Sequence, residues 1–305
     1  MNSGVVLALA AYLLWGAFPL YFMLVKFVPT PEMLAHRVLW SLAFVAILLT
    51  FVQRWAWLPK LVRKPRTLRI FALSAALLSI NWGLYFYAVS HGRIVDASLG
   101  YFINPLVSVL LGSVVLHERL RAPQWIAVAF AAAGVGWLTW LAGDLPWIGL
   151  AIAGSFAIYG LLRKTAPLPS MEGLALETLM LTPIALGYVL WLSDTGDSTF
   201  AAADSPLATL ALLALSGPVT SMPLLLFAAA ARRIRLSTLG VIQYIAPSMQ
   251  FLLAVFLFHE PFDGHKAAGY VAIWTGLAIF TVHALWRASR PAQPGAGSPT
   301  RASGS

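Results

Sequence analysis

The chain is a succession of apolar runs, each about 18 to 24 residues long, separated by short breaks rich in Lys, Arg, Pro, Gly or Asp. Each run has the ~20 residues a helix needs to cross roughly 30 Å of hydrocarbon. Most are apolar all round, whereas a helix on a soluble core shows a polar face at a period near 3.6. Breaks at charges and prolines place ten spans, near residues 4–25, 33–52, 69–89, 94–116, 122–141, 145–163, 172–192, 207–230, 237–257 and 266–286. The N-terminal run lacks a basic leader and outlasts a signal peptide's apolar region, so it reads as the first span. Charged residues make up 10% of the chain, against roughly 25% in a soluble domain, and lipid is the solvent this composition fits.

The net charge of +9 is topological rather than nucleic-acid-binding. Sixteen of the 20 Lys and Arg fall in alternate breaks or the tail, including Arg54, Lys60, Arg119, Arg121, Arg163, Lys164, Arg232, Arg233 and Arg235. Lys26, Arg37, Arg93 and Lys266 remain for the other side. Short basic loops resist translocation, so both termini are expected on the cytoplasmic side of the cytoplasmic membrane. Trp55, Trp57, Trp125, Trp147, Trp191 and Trp286 sit near span ends, where an indole buries its ring and keeps its N–H wet. Residues 287–305 are rich in Pro, Gly and Ser and read as a disordered cytoplasmic tail.

The two halves resemble each other. Ser98-Leu99-Gly100 and Asn104-Pro105 in span four match Thr238-Leu239-Gly240 and Ala246-Pro247 in span nine, and His117-Glu118 matches His259-Glu260 at the spacing of the two prolines. Arg93-Ile94 matches Arg233-Ile234, Gly134 matches Gly276, and Trp15-Gly16 pairs more weakly with Tyr159-Gly160. The repeats are placed at 1–143 and 144–286. A five-span repeat reverses direction on its second occurrence, so the halves are inverted, an arrangement common in secondary transporters.

The same residues carry a family resemblance. Leu7 to Tyr12 with Trp15-Gly16, His36-Arg37-Val38 with Trp40-Ser41, the Ala97–Leu106 block, Tyr159-Gly160-Leu161 with Arg163-Lys164, Glu177-Thr178, and Arg235 to Gly240 with Gln243-Tyr244 resemble the EamA-type drug/metabolite transporters, and among them the RarD-type permeases. The likeness spans nearly the whole chain to residue 286. It implies an all-α membrane fold, ten helices in two inverted five-helix repeats around a cavity that alternates its access. The solutes it implies are amino acids, other metabolites and drugs. Where many relatives have Gly-Glu at the end of span four, this chain has His117-Glu118, a departure expected to affect the helix terminus rather than the pathway.

Polar and aromatic residues inside spans are the candidate cavity, since lipid cannot satisfy their hydrogen bonds. They are Trp15, Asn81, Trp82, Tyr85, Tyr101, Asn104, Tyr159, Gln243 and Tyr244. Pro105 and Pro247 free carbonyls one turn back and are candidate hinges. His36, Arg37, Asp96 and Glu177 are candidate gate or coupling charges, because ionisable groups inside spans are costly unless they face protein or water. Snorkelling and fixed ion pairs are the competing reading. Arg37 is expected within reach of Asp96, and Glu177 of Arg232 or Arg235. A small-molecule solute, the bilayer and a coupling proton are the expected partners. Gly134, Gly136, Gly269 and Gly276 read as helix-packing positions, and His117 and His259 as caps on helix ends.

Enzyme chemistry finds no motif. There is no cysteine, no His pair at i, i+4 and no Gly-Lys-Ser/Thr phosphate loop, so no cofactor, metal or catalytic residue is expected. A passive channel, lined by kinked polar helices, and a non-transporting scaffold or sensor remain the alternatives to a carrier.

Overall fold

The structure, a computed structural model, describes residues 3–288 apart from 62, 92, 144–145, 201–205, 258 and 260–263; at 89–90, 94–96 and 284–288 it describes the backbone only. The proposed disordered tail and the side chains of Asp96, Glu260 and Trp286 lie outside it.

Among the described residues every regular element is helical. The elements are α1 (Ser3–Gly16), α2 (Phe18–Leu24), α3 (Thr30–Phe51), α4 (Leu58–Leu61), α5 (Pro65–Ser90), α6 (Ile94–Val114) and α7 (Ala122–Ala142). There follow α8 (Trp147–Thr165), α9 (Ser170–Thr195), α10 (Leu207–Ala231), α11 (Leu236–Gln243), α12 (Ile245–Leu252), a π turn (Leu253–Leu257) and α13 (Gly264–Ala288). Eight segments are long and apolar enough to cross a bilayer, α1–α2 and α11 to the π turn each counting as one. The long helices α8 and α13 fall outside that set, but α8 packs on α5 and α6, and α13 lies along α7.

Proline explains one break. Pro19 lacks the N–H that would bond the Trp15 carbonyl, and the helix is interrupted at Ala17. The Gln250 side-chain amide of α12 donates to that Trp15 carbonyl at 3.0 Å. At the two candidate hinges the halves differ. The helix breaks at Tyr244, beside Pro247, whereas α6 runs through Pro105 without interruption.

Directions of packing can be read from paired contacts. Tyr12 meets Phe227 and the Tyr21 hydroxyl donates to the Leu212 carbonyl, so α1–α2 runs antiparallel to α10. The counterpart pair behaves alike, with Ala88 packed on Ile148 and Asn81 Nδ2 donating to the Ile152 carbonyl, which makes α5 antiparallel to α8. Met33 packs on Leu213 and the Ser41 hydroxyl faces the Gly217 carbonyl, so α3 and α10 run parallel. Phe71 approaches Gly173 and Ser74 meets Glu177, so α5 and α9 do too. Each of these four pairs joins a helix that precedes residue 143 to one that follows it.

The pairs that join equivalent helices pack through small residues. A Cβ on Gly134 would lie 2.5 Å from the Gly269 carbonyl oxygen, and one on Gly276 2.5 Å from that of Ala127. Here α7 and α13 touch backbone to backbone. Gly136 corrects the expectation, since nothing lies within 4 Å of its added Cβ. His117, beyond the end of α6, and His259, beyond the π turn, have φ of 51° and 53°, both in the left-handed region.

Candidate functional site

A cavity of about 550 Å³ opens between the halves. At its deep end stand Tyr12, Trp15, Asn104, Phe156, Thr220, Gln243 and Pro247. Asn81, Trp82, Tyr85, Tyr101 and Arg37 line its middle, and Phe22, Lys26, Val28 and Thr30 stand toward the α2–α3 connection. Thus seven of the nine expected residues are brought together.

Tyr159 and Tyr244 are the corrections. Both are buried away from the cavity, Tyr159 stacked on Phe227 and Tyr244 packed among Leu99, Phe102 and Ile103. Pro105 does not line the cavity, although its repeat partner Pro247 does. Tyr12, Thr220 and Gln250 line it but were not singled out from sequence. The available signal for Tyr12 was its i, i+3 spacing from Trp15, which puts both rings on one helix face.

The lining polar groups are held unequally. Asn81 Nδ2 is committed to the Ile152 carbonyl at 2.8 Å and the Ser155 hydroxyl at 3.2 Å. The Asn104 carbonyl oxygen accepts only a long bond from Ser108, 3.4 Å. Arg37 donates through Nε to the Thr220 hydroxyl at 2.9 Å, and its guanidinium carbon sits 4.6 Å from the Trp82 ring centre. Arg37 therefore meets Thr220 rather than a described carboxylate, and its expected contact with Asp96 falls on a side chain outside the described set.

Below the deep end the bundle is closed. Tyr12, Trp15, Phe156, Tyr159 and Phe227 form a connected cluster of rings. Beneath them Arg163 Nη1 faces Glu177 Oε1 at 3.3 Å, with side-chain exposures of 1% and 0%. Ser74 donates to the same carboxylate at 2.5 Å, and Tyr159 lies 3.4 Å from its other oxygen. The expected partners of Glu177, Arg232 and Arg235, are replaced by Arg163, which the sequence placed in a basic loop. The physical reason is the Pro167–Pro169 turn, which folds α9 back along the end of α8.

Arg232 instead donates to the Ala166 and Leu168 carbonyls beyond α8, while Lys164 donates to the carbonyls of Ala231, the last residue of α10, and of Ile234 beyond it. Each helix end is thus capped by a cation from the other. Glu118 completes this end. Its carboxylate accepts from the Leu236 N–H at 2.7 Å, the Ser237 N–H at 2.9 Å and the Ser237 hydroxyl at 2.7 Å, which places an anion at the N-terminus of α11.

His36 lies outside the cavity, 3.8 Å from Glu32 and against the Phe200 ring. Glu32 accepts from the Ser198 hydroxyl and the Phe200 N–H. Among the described residues no three His, Asp or Glu side chains converge as metal ligands would.

Comparison with known proteins gives a consistent likeness. The EamA-like transporter family matches residues 2–140. "Protein RarD" of Streptomyces exfoliatus is 47% identical, covering 95% of this chain and 91% of the relative. "Protein RarD" of Escherichia coli K12 is 44% identical over 95% of this chain and 97% of its own. A Pseudomonas aeruginosa relative named "Chloramphenicol-sensitive protein RarD" is 34% identical over 91% of this chain and 93% of its own. A crystal structure at 21% identity superposes with a TM-score of 0.66, covering 94% of this chain and 99% of that one, and shows the same fold.

Proposed function

The chain belongs to the EamA-like transporter family, as a RarD-type member of a multi-pass membrane fold, and on that premise we propose that it is a secondary carrier. It moves a small polar or amphipathic metabolite or drug across the cytoplasmic membrane by alternating access. The observation that carries the reading is the contrast between the two ends of the bundle. A 550 Å³ cavity reaches from Gln243 toward Lys26 and Thr30, while the opposite end is closed by stacked rings, the Arg163–Glu177 pair and the Glu118 contacts. That volume lies within the range of small-molecule sites, roughly 300–1,000 Å³, which combine an apolar wall with a few placed polar groups.

Two of the closing contacts join opposite halves, Glu118 to the start of α11 and Ser74 of α5 to Glu177 of α9, whereas the Arg163–Glu177 pair lies within the second half. If the halves exchange conformations, the same kinds of contact open at one end and form at the other. In this reading α8 and α13 also cross, giving ten spans in repeats at 1–143 and 144–286, with both termini cytoplasmic on the basic side. Arg163, counted from sequence among the loop charges, is part of the core, and the remaining basic excess still assigns that side.

Purified protein in liposomes tests the proposal through counterflow of any solute that raises its melting temperature. A carrier gives saturable counterflow. Unsaturable flux with steady conductance indicates a channel instead.

A further inference from the structure

Arg37 is the buried charge of the cavity wall, and it has no neutralising partner among the described residues. Its side chain is nine-tenths buried, lying at 9% exposure. Nε is committed to Thr220, but neither terminal nitrogen makes a hydrogen bond among the described residues, and both belong to a residue that lines the cavity. The titratable groups facing it are the hydroxyls of Tyr21, Tyr85 and Tyr101. Phe22 and Trp82 present their rings at 5.8 Å and 4.6 Å.

Among the described residues the acids within the bundle are engaged elsewhere: Glu177 with Arg163, Glu118 with α11, Glu172 with Arg54, and Glu32 with Ser198 and Phe200. A guanidinium held in an aromatic, low-dielectric wall costs free energy unless an anion reaches it. Its two free N–H faces form the fork that matches a carboxylate bidentately. Near the cavity's other end, the Gln243 side-chain amide makes no hydrogen bond among the described residues and keeps both donor and acceptor capacity. Lys26 adds a second cation to the lining, toward the α2–α3 connection, and among the described residues no acid lines the cavity.

We propose that the cavity is a site for organic monoanions, an aromatic or apolar body bearing one carboxylate, with Arg37 holding the carboxylate and the ring wall holding the body. The assignment deepens the carrier reading and rests on it for transport, but binding tests it separately. Phenylacetate, phenylacetamide and 2-phenylethylamine share a ring and a chain and differ in charge, so purified protein titrated with each by tryptophan fluorescence isolates the charge. Phenylacetate is expected to bind at least tenfold more tightly than the other two, with Arg37→Gln abolishing the preference and Arg37→Lys retaining only part of it.

Equal or tighter binding of the amide or the amine, no binding of any of the three, or an undiminished preference in a folded Arg37→Gln protein overturns the assignment. Should Arg37→Gln fail to fold, the charge series on the unmodified protein decides alone. Anion-selective binding without counterflow would sink the carrier reading and leave this assignment standing. Counterflow indifferent to charge would do the reverse.

Discussion

Arg163 and Glu177 face each other at 3.3 Å at the closed end of the bundle, almost wholly removed from solvent, with Phe71 against the guanidinium. A buried pair of this kind is costly to break one-sidedly, because the surviving charge is stranded. Arg163→Met and Glu177→Gln are each expected to lower stability by about 3–5 kcal/mol. The double variant should lose much less than the sum, since no charge remains unpaired and Gln still meets Ser74. Unfolding in detergent gives the comparison, and additive losses would show that the two groups act separately.

The α7–α13 seam makes a second prediction. Gly134→Ala puts a methyl group where the Gly269 carbonyl and Ile273 already stand, and overpacking of this sort costs about 1–3 kcal/mol. Gly136→Ala meets nothing within 4 Å and is expected to be neutral or slightly stabilising, because Ala favours the helix. Equal melting temperatures for the two variants would mean that the seam is looser than the backbone contact requires.

His117 carries a third. Its φ of 51° is the left-handed conformation that a side chain resists and glycine adopts freely. The residue is exposed, so His117→Gly removes little packing and is expected to raise stability by up to about 1 kcal/mol. Thermal unfolding checks it, and a lower melting temperature would assign the imidazole a contact of its own.

Glu118 holds the N-terminus of α11 through three hydrogen bonds, and it stands 3.8 Å from Lys164. Glu118→Gln keeps one acceptor oxygen but loses the charge. The chain has no cysteine of its own, so a single Leu236→Cys reports on this end cleanly. Maleimide should modify Cys at this buried position several-fold faster in the Glu118→Gln background, and unchanged rates would remove Glu118 from the closure.

Eight of the spans were legible because hydrocarbon thickness imposes a length that composition reveals directly: α3 occupies Thr30–Phe51 where apolarity placed 33–52, and α10 Leu207–Ala231 where it placed 207–230. Much of the cavity was legible for a related reason. Asn81, Asn104 and Gln243 are amides inside apolar runs, and each requires a polar surrounding.

Tyr159 was misplaced because a mid-span tyrosine has two solutions, a wet cavity or a buried partner, and the Glu177 carboxylate supplies the second. Arg163 was hidden for the opposite reason. Adjacency to Lys164 made it look like a loop cation, and only the return of α9 brings Glu177 to it. The Glu118 contact with α11 spans more than a hundred residues and leaves no periodic trace.

The claim that most depends on the whole account is that one cavity is reached from opposite faces in turn. A single Gln243→Cys protein in oriented proteoliposomes, treated with a membrane-impermeant maleimide from either face, tests it most directly. The account predicts rapid reaction from the Lys26 side, slower reaction from the Arg163 side, and no ion leak in either case. Reaction from one face only, whatever the temperature or solute concentration, would contradict alternating access.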